Sequence, residues 1–117
     1  MSEQNFAVGT VEGTGSAINI SIGFNPQYVK CINIDDAGTL FPIMEWITGM
    51  AAASGILSLK VIDSGSTGLA SSAYVTAGGI TMYAGSESSK LAKGFTIGTD
   101  ANLNADGETI LWIAMRS

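Results

Sequence analysis

The stretch "KGFTIGTDANLNADGETILWIAMRS", residues 93–117, decides the fold. Two short apolar runs flank a polar segment rich in Asp, Asn and Gly. Asp100, Asn102, Asn104 and Asp106 fall at every second residue. Calcium loops use that spacing because it gathers oxygen ligands around a hard cation. "NLNADG", starting at Asn102, matches the first six positions of such a loop if Asn is allowed first. The twelfth position, which needs a bidentate Glu, holds Ile113. Two of the four ligands would be neutral amides, and helices are missing on both sides. Turn chemistry explains the same residues: Asp106-Gly107 is a type I′ hairpin signal, and Asn102 and Asn104 can close Asx-turns. The segment is therefore expected to be a loop and hairpin turn joining two strands, with no metal and no catalytic role.

Outward from there, strand periodicity recurs. Ile18, Ile20 and Ile22 alternate with Asn19 and Ser21. Leu57, Leu59 and Val61 alternate with Ser58 and Lys60, and Ile80, Met82 and Ala84 with Thr81 and Tyr83. "TILWIAMR" is apolar on both faces, which marks a central strand or one covered on its outer face by another subunit. "YVKCINI" is similarly mixed. Turn signals such as "GFNPQ", "DDAGT" and "DSGSTG" separate the runs. "ITGMAAASG" and "SESSKLAKG" have room for no more than one or two helical turns. This pattern predicts an all-β, antiparallel, single-domain β-sandwich, jelly-roll-like, at residues 13–117. Residues 1–12 are expected to form an N-terminal arm or edge strand, on their own sheet or a neighbour's.

Composition narrows the function. The chain has 117 residues, suited to one domain. Charged residues make up 13%, against about 25% in an average soluble domain. Such a surface suits a protein covered by neighbours. The net charge is −5, and the basic residues Lys30, Lys60, Lys90, Lys93 and Arg116 are scattered. A nucleic-acid footprint needs a clustered basic stripe, so nucleic acid is not an expected partner. No apolar run reaches membrane-spanning length. The N-terminus lacks the basic and apolar regions of a secretory signal, so synthesis and folding in a cytoplasm are expected. The single cysteine, Cys31, lies in an apolar run and reads as a core residue.

Enzyme chemistry finds little support. The chain has no histidine, which removes Ser-His-Asp and Cys-His catalysis and His-ligated zinc. No phosphate-cradling P-loop or dinucleotide fingerprint is present. Asp35 and Asp36 precede "AGT" and read as turn residues. Glu45, between Met44 and Trp46, is the one acid in an apolar setting. Pairing it with an Asp would give the strongest enzymatic reading, but no acidic motif converges on it. The chain is expected to be no enzyme and to carry no cofactor.

Three segments together, "IGFNPQYVKCINI", "MEWITGMA" and the 93–116 stretch, resemble small structural proteins of tailed bacteriophages. The pieces occur in that family's order and cover about two-fifths of the chain. The resemblance implies a β-sandwich or jelly-roll virion component, foremost a capsid decoration (cement) protein on the outer face of the major capsid shell. A tail or fibre component is the alternative. An alternative of another class is a carbohydrate-binding module, with Trp46 or Trp112 stacking on sugar. The expected partners are copies of itself, a trimer ahead of a dimer, and the phage major capsid protein. The expected location is the capsid surface of the virion. Interface candidates are the aromatic and apolar anchors Phe6, Val8, Phe24, Tyr28, Phe41, Trp46, Met50, Tyr83 and Trp112. Gly94 and Gly98 are expected to shape the loop entry, with Phe95 in the core.

Overall fold

The computed structural model describes residues 5–35, 42–61 and 69–116. Among them are eight strands and no helix: β1 (Phe6–Glu12), β2 (Ile18–Ser21), β3 (Tyr28–Asn33), β4 (Ile43–Ile47), β5 (Ser54–Val61), β6 (Leu69–Tyr83), β7 (Gly94–Ile97) and β8 (Thr109–Met115). They form one antiparallel sheet in the order β1-β8-β3-β4-β5-β6-β7-β2. The N-terminal edge strand docks on its own sheet, against β8.

The two-sheet sandwich expected from the strand periodicity is replaced by a single sheet, strongly curled into a half-barrel. Period two assigns side chains to faces but does not say where hydrogen bonding stops between strands. Here it never stops, and the sheet bends until its inner face packs on itself. Trp112 of β8 meets Phe95 of β7 edge-on, with ring centroids 5.5 Å apart. Those strands stand near opposite ends of the strand order, so only the curl brings them together. Phe24, Val29, Met44, Ile80, Ile97 and Ile110 complete the interior. Gly9, opposite Trp112 on β1, leaves room for the indole: a Cβ there would lie 2.6 Å from Cζ2.

The sharpest bend is on β6. Gly55 pairs with Val75 but Ser54 pairs with Ile80, so residues 76–79 are extra on the β6 side. Such a bulge bends and twists a strand. Gly78 has φ 77°, open to glycine at no cost. A Cβ on Gly79 would overlap the Ser54 carbonyl. Before the bend β6 pairs with β5; after it, with β7. β5 and β6 also continue past the last β4 pairing, Ile43 with Ser58, as a two-stranded ribbon. The molecule is correspondingly elongated, 55 × 27 × 25 Å.

Neither helical candidate forms a helix. "ITGMAAASG" is a turn closed by Met50 N–H donating to the Ile47 carbonyl, with Gly49 at φ 113° and Ala53 at φ 61°. The Ala51 carbonyl accepts from Trp46 Nε1 and Ser54 Oγ. "SESSKLAKG" is a tight turn closed by Ser86 and Leu91, with Lys90 at φ 58°. Glycines and competing Ser hydroxyls outweigh the alanine propensity in such short segments.

Candidate functional site

Residues 98–108, the suspected cation loop, cap one end of the half-barrel. Leu103 points inward and is fully buried. Asp100 Oδ1 accepts from the backbone N–H groups of Asn102 and Leu103, at 2.9 and 3.0 Å. Asn104 is 1% exposed, and its amide is fully used. Its Oδ1 accepts from Thr14 N and Gly15 N, and its Nδ2 donates to the Ser16 and Gly98 carbonyls. Asn33, buried on β3, donates to the Asn102 and Leu103 carbonyls and to Glu108 Oε1. Two of the four oxygens spaced for calcium, those of Asp100 and Asn104, thus accept from backbone donors, and no cluster of acids suited to a metal occurs among the described residues. The loop does join two strands, β7 and β8, but not as a hairpin, because these strands are not neighbours. A turn from Ala105 to Glu108 does form, with positive φ at Gly107 alone. That is the pattern of a type II turn, not type I′.

The loop also closes the sheet. β1 and β2 are its two edges, yet residues 13–17 link them directly. That link spans at most about 20 Å, so the edges must approach each other at this end. Asn104 ties the link to the loop.

Among the described residues the acids do not converge either. Asp35 Oδ2 accepts from Thr109 N–H, and the hydrogen bonds from Thr109 hold its carboxyl below the ordinary range. Asp36 lies outside the described residues. Glu45 faces outward on β4 and accepts from Tyr28 Oη at 2.6 Å. Cys31 is fully buried, and burial pushes its thiol far up, as expected of a core cysteine.

Desolvation, followed by the Glu45 carboxylate, pushes the Tyr28 hydroxyl up to about 12 from 10.0. The folded state therefore holds this proton more tightly than the unfolded chain. The contribution is complete below pH 10 and is lost as pH rises towards 12. Stability should fall across that window, and Tyr28→Phe should flatten the fall. Urea midpoints measured at pH 9, 10, 11 and 12 check this.

The outer face of the sheet carries the most unusual surface. Strand register sets its side chains in three rows. One row runs Phe6, Met115, Tyr28, Ile47. The second runs Val8, Ile113, Lys30, Glu45, Ile56, Tyr74, and the third Thr10, Leu111, Ile32, Ile43, Ser58, Ser72. Phe6 is 53% exposed, Val8 58%, Ile47 50% and Tyr74 54%. Leu111 and Met115 are also exposed. Over β1, β8 and β3 the face dips into an apolar hollow of about 380 Å³, walled by Val8, Thr10, Lys30 and Ile32 and floored by Leu111 and Ile113. Isolated apolar residues on a surface are ordinary, but a contiguous field of this kind marks a contact surface.

The nine interface candidates separate accordingly. Phe6, Val8 and Tyr28 lie together on the outer face. Phe24, Trp46 and Trp112 are core residues, and Met50 packs against that core. Phe24 also lies under the Arg116 guanidinium, 4.6 Å from the ring centroid. Tyr83 is half-buried at the end of β6, and Phe41 lies outside the described residues. Choosing aromatics missed Leu111, Ile113, Met115, Ile47 and Tyr74. The two-faced greasiness of "TILWIAMR" was the available signal. β8 is internal to the sheet, and its outer-face residues Leu111 and Met115 are exposed.

Compared with protein-family models, curated proteins and solved structures, the chain matches none of them.

Proposed function

We propose that this chain is a bacteriophage virion structural protein, a capsid decoration protein that self-associates and binds the outer face of the major capsid shell. The observation that carries the reading is the three-row apolar face, a surface that gains by being covered. The resemblance of its segments to small phage structural proteins supplies the virion context. The chemistry is consistent with a binding role, since Asp35, Asp100 and Asn104 are engaged by the chain's own backbone. Many weak contacts repeated over a shell become effectively permanent through avidity. A tail or fibre component is the second reading, favoured by the β5–β6 ribbon, which reaches beyond the body of the sheet. The carbohydrate-binding alternative needs an exposed aromatic platform, and both tryptophans are buried.

Shells assembled without this protein should rupture at lower temperature or lower internal pressure, and adding it back should restore the threshold. Equal thresholds with and without it would refute cementing. Density for this chain on the tail in cryo-electron micrographs would favour the second reading.

A further inference from the structure

We propose that the outer face of β1, β8, β3, β4, β5 and β6 is covered by a second copy of this chain, related by a two-fold axis that runs along the strands between Lys30 and Glu45. The argument begins with charge. The chain carries −5 overall, so two copies repel over most of their surfaces. At the centre of this face stand one cation and one anion, Lys30 and Glu45, directly opposite each other on β3 and β4. A two-fold axis between those strands sets each Lys30 over the other copy's Glu45, so the contact carries no net charge at its centre. A closed isologous contact needs such self-complementarity.

Shape repeats the pattern. The same rotation lays β8 over β5 and β1 over β6, because the strand order across the face is β1-β8-β3-β4-β5-β6. The hollow over β1, β8 and β3 lies on one side of the axis. Tyr74, the exposed aromatic of β6, lies on the other side in the same row as Lys30 and Glu45. By that rotation each Tyr74 lands over the mate's Val8, at the wall of the hollow, with its hydroxyl held by Ser54 Oγ of its own chain. Tyrosine suits the role, since its ring buries large area at low entropic cost. Laid flat, six strands at about 4.8 Å and three rows at about 7 Å would cover roughly 400–500 Å² per copy. The curl of the sheet concentrates the contact on the strands beside the axis, so this is a small interface, below the ~800 Å² per partner of a standard one.

This inference shares the apolar face with the proposed function but not the virion context, so the two are tested apart. The mass of the full chain is measured by sedimentation and light scattering across micromolar to millimolar concentration, with circular dichroism to confirm folding. The wild type should be dimeric, and Lys30→Glu or Glu45→Lys should each weaken pairing at least tenfold. The double swap, Lys30→Glu with Glu45→Lys, should restore it, and Tyr74→Ala should weaken pairing with the fold intact. A monomeric or trimeric wild type, or a double swap that pairs no better than either single swap, would overturn the two-fold contact. A monomer that still raises the shell's rupture threshold would sink this contact and leave cementing standing. A dimer without effect on the shell would do the reverse.

Discussion

Gly94→Ala should destabilise the protein by about 3 kcal/mol or more, enough to lower the thermal midpoint by on the order of 10 °C. Gly94 opens β7 between two neighbours, Ser21 on β2 and Tyr83 on β6. A Cβ there would overlap the Ile20 carbonyl oxygen and crowd the Ser21 Cα. Both obstacles are backbone, held in the β2–β7 ladder, and neither can rotate away. The Gly94 carbonyl is also fixed, accepting from Asn25 Nδ2, which donates to the Tyr83 carbonyl as well. Any shift that relieved the overlap would break the β2–β7 pairing and loosen Ile18 and Ile20 from the core. Gly107 is the control. It has φ 82° in open space, at a turn position that Asn accepts, so Gly107→Asn meets only a conformational cost, about 1 kcal/mol or less. Urea denaturation midpoints of the two variants should differ widely. Equal midpoints would mean that β2 is not held as described.

Strand content was legible in the sequence because alternation is a local signal. Ile18 and Ile20, Ile80 and Met82, and Leu57 all turn inward as their spacing requires. Sheet connectivity was not legible, because it depends on pairings between residues far apart. β1 and β8 pair across almost the whole chain length, and nothing near Phe6 announces Met115 as its partner. The choice between two packed sheets and one curled sheet rests on the bulge at residues 76–79, where "TAGG" reads equally well as a turn. Of the contact face, β8 was half visible, since an apolar residue at every position of a strand leaves one face uncovered by its own core. The contribution of Ile47 and Tyr74 became visible only when register aligned them with Tyr28 and Glu45. Aromatic identity misled at Trp46 and Trp112 because the interior of a half-barrel takes large side chains as readily as an interface does.

Asn104 joins the two ends of that argument, and its substitution should rank with Gly94→Ala. It is a buried amide with all four hydrogen-bonding positions filled, and it ties the β1–β2 link to the capping loop. Asn104→Ala takes the donor from the half-buried Gly98 carbonyl and frees the link that holds the sheet edges together. Buried groups left without partners cost about 1–3 kcal/mol, so a total near 2–4 kcal/mol is expected. Asn104→Asp distinguishes hydrogen bonding from packing, because it keeps the shape and changes only one atom's chemistry. The new oxygen would face the Ser16 and Gly98 carbonyls, where the wild type places a donor. At neutral pH this variant should therefore be less stable than Asn104→Ala despite its better fit. Protonating the introduced carboxyl supplies an O–H donor and removes the charge, so its folded pKa lies above the unfolded value near 4. By linkage its stability should rise as pH falls from 7 towards 4, while Asn104→Ala lacks that gain. Denaturation midpoints of both variants at pH 4.5 and 7 decide the matter: if Asn104→Asp matches the wild type at both, the amide does not donate to those carbonyls and the cap is not what closes the sheet.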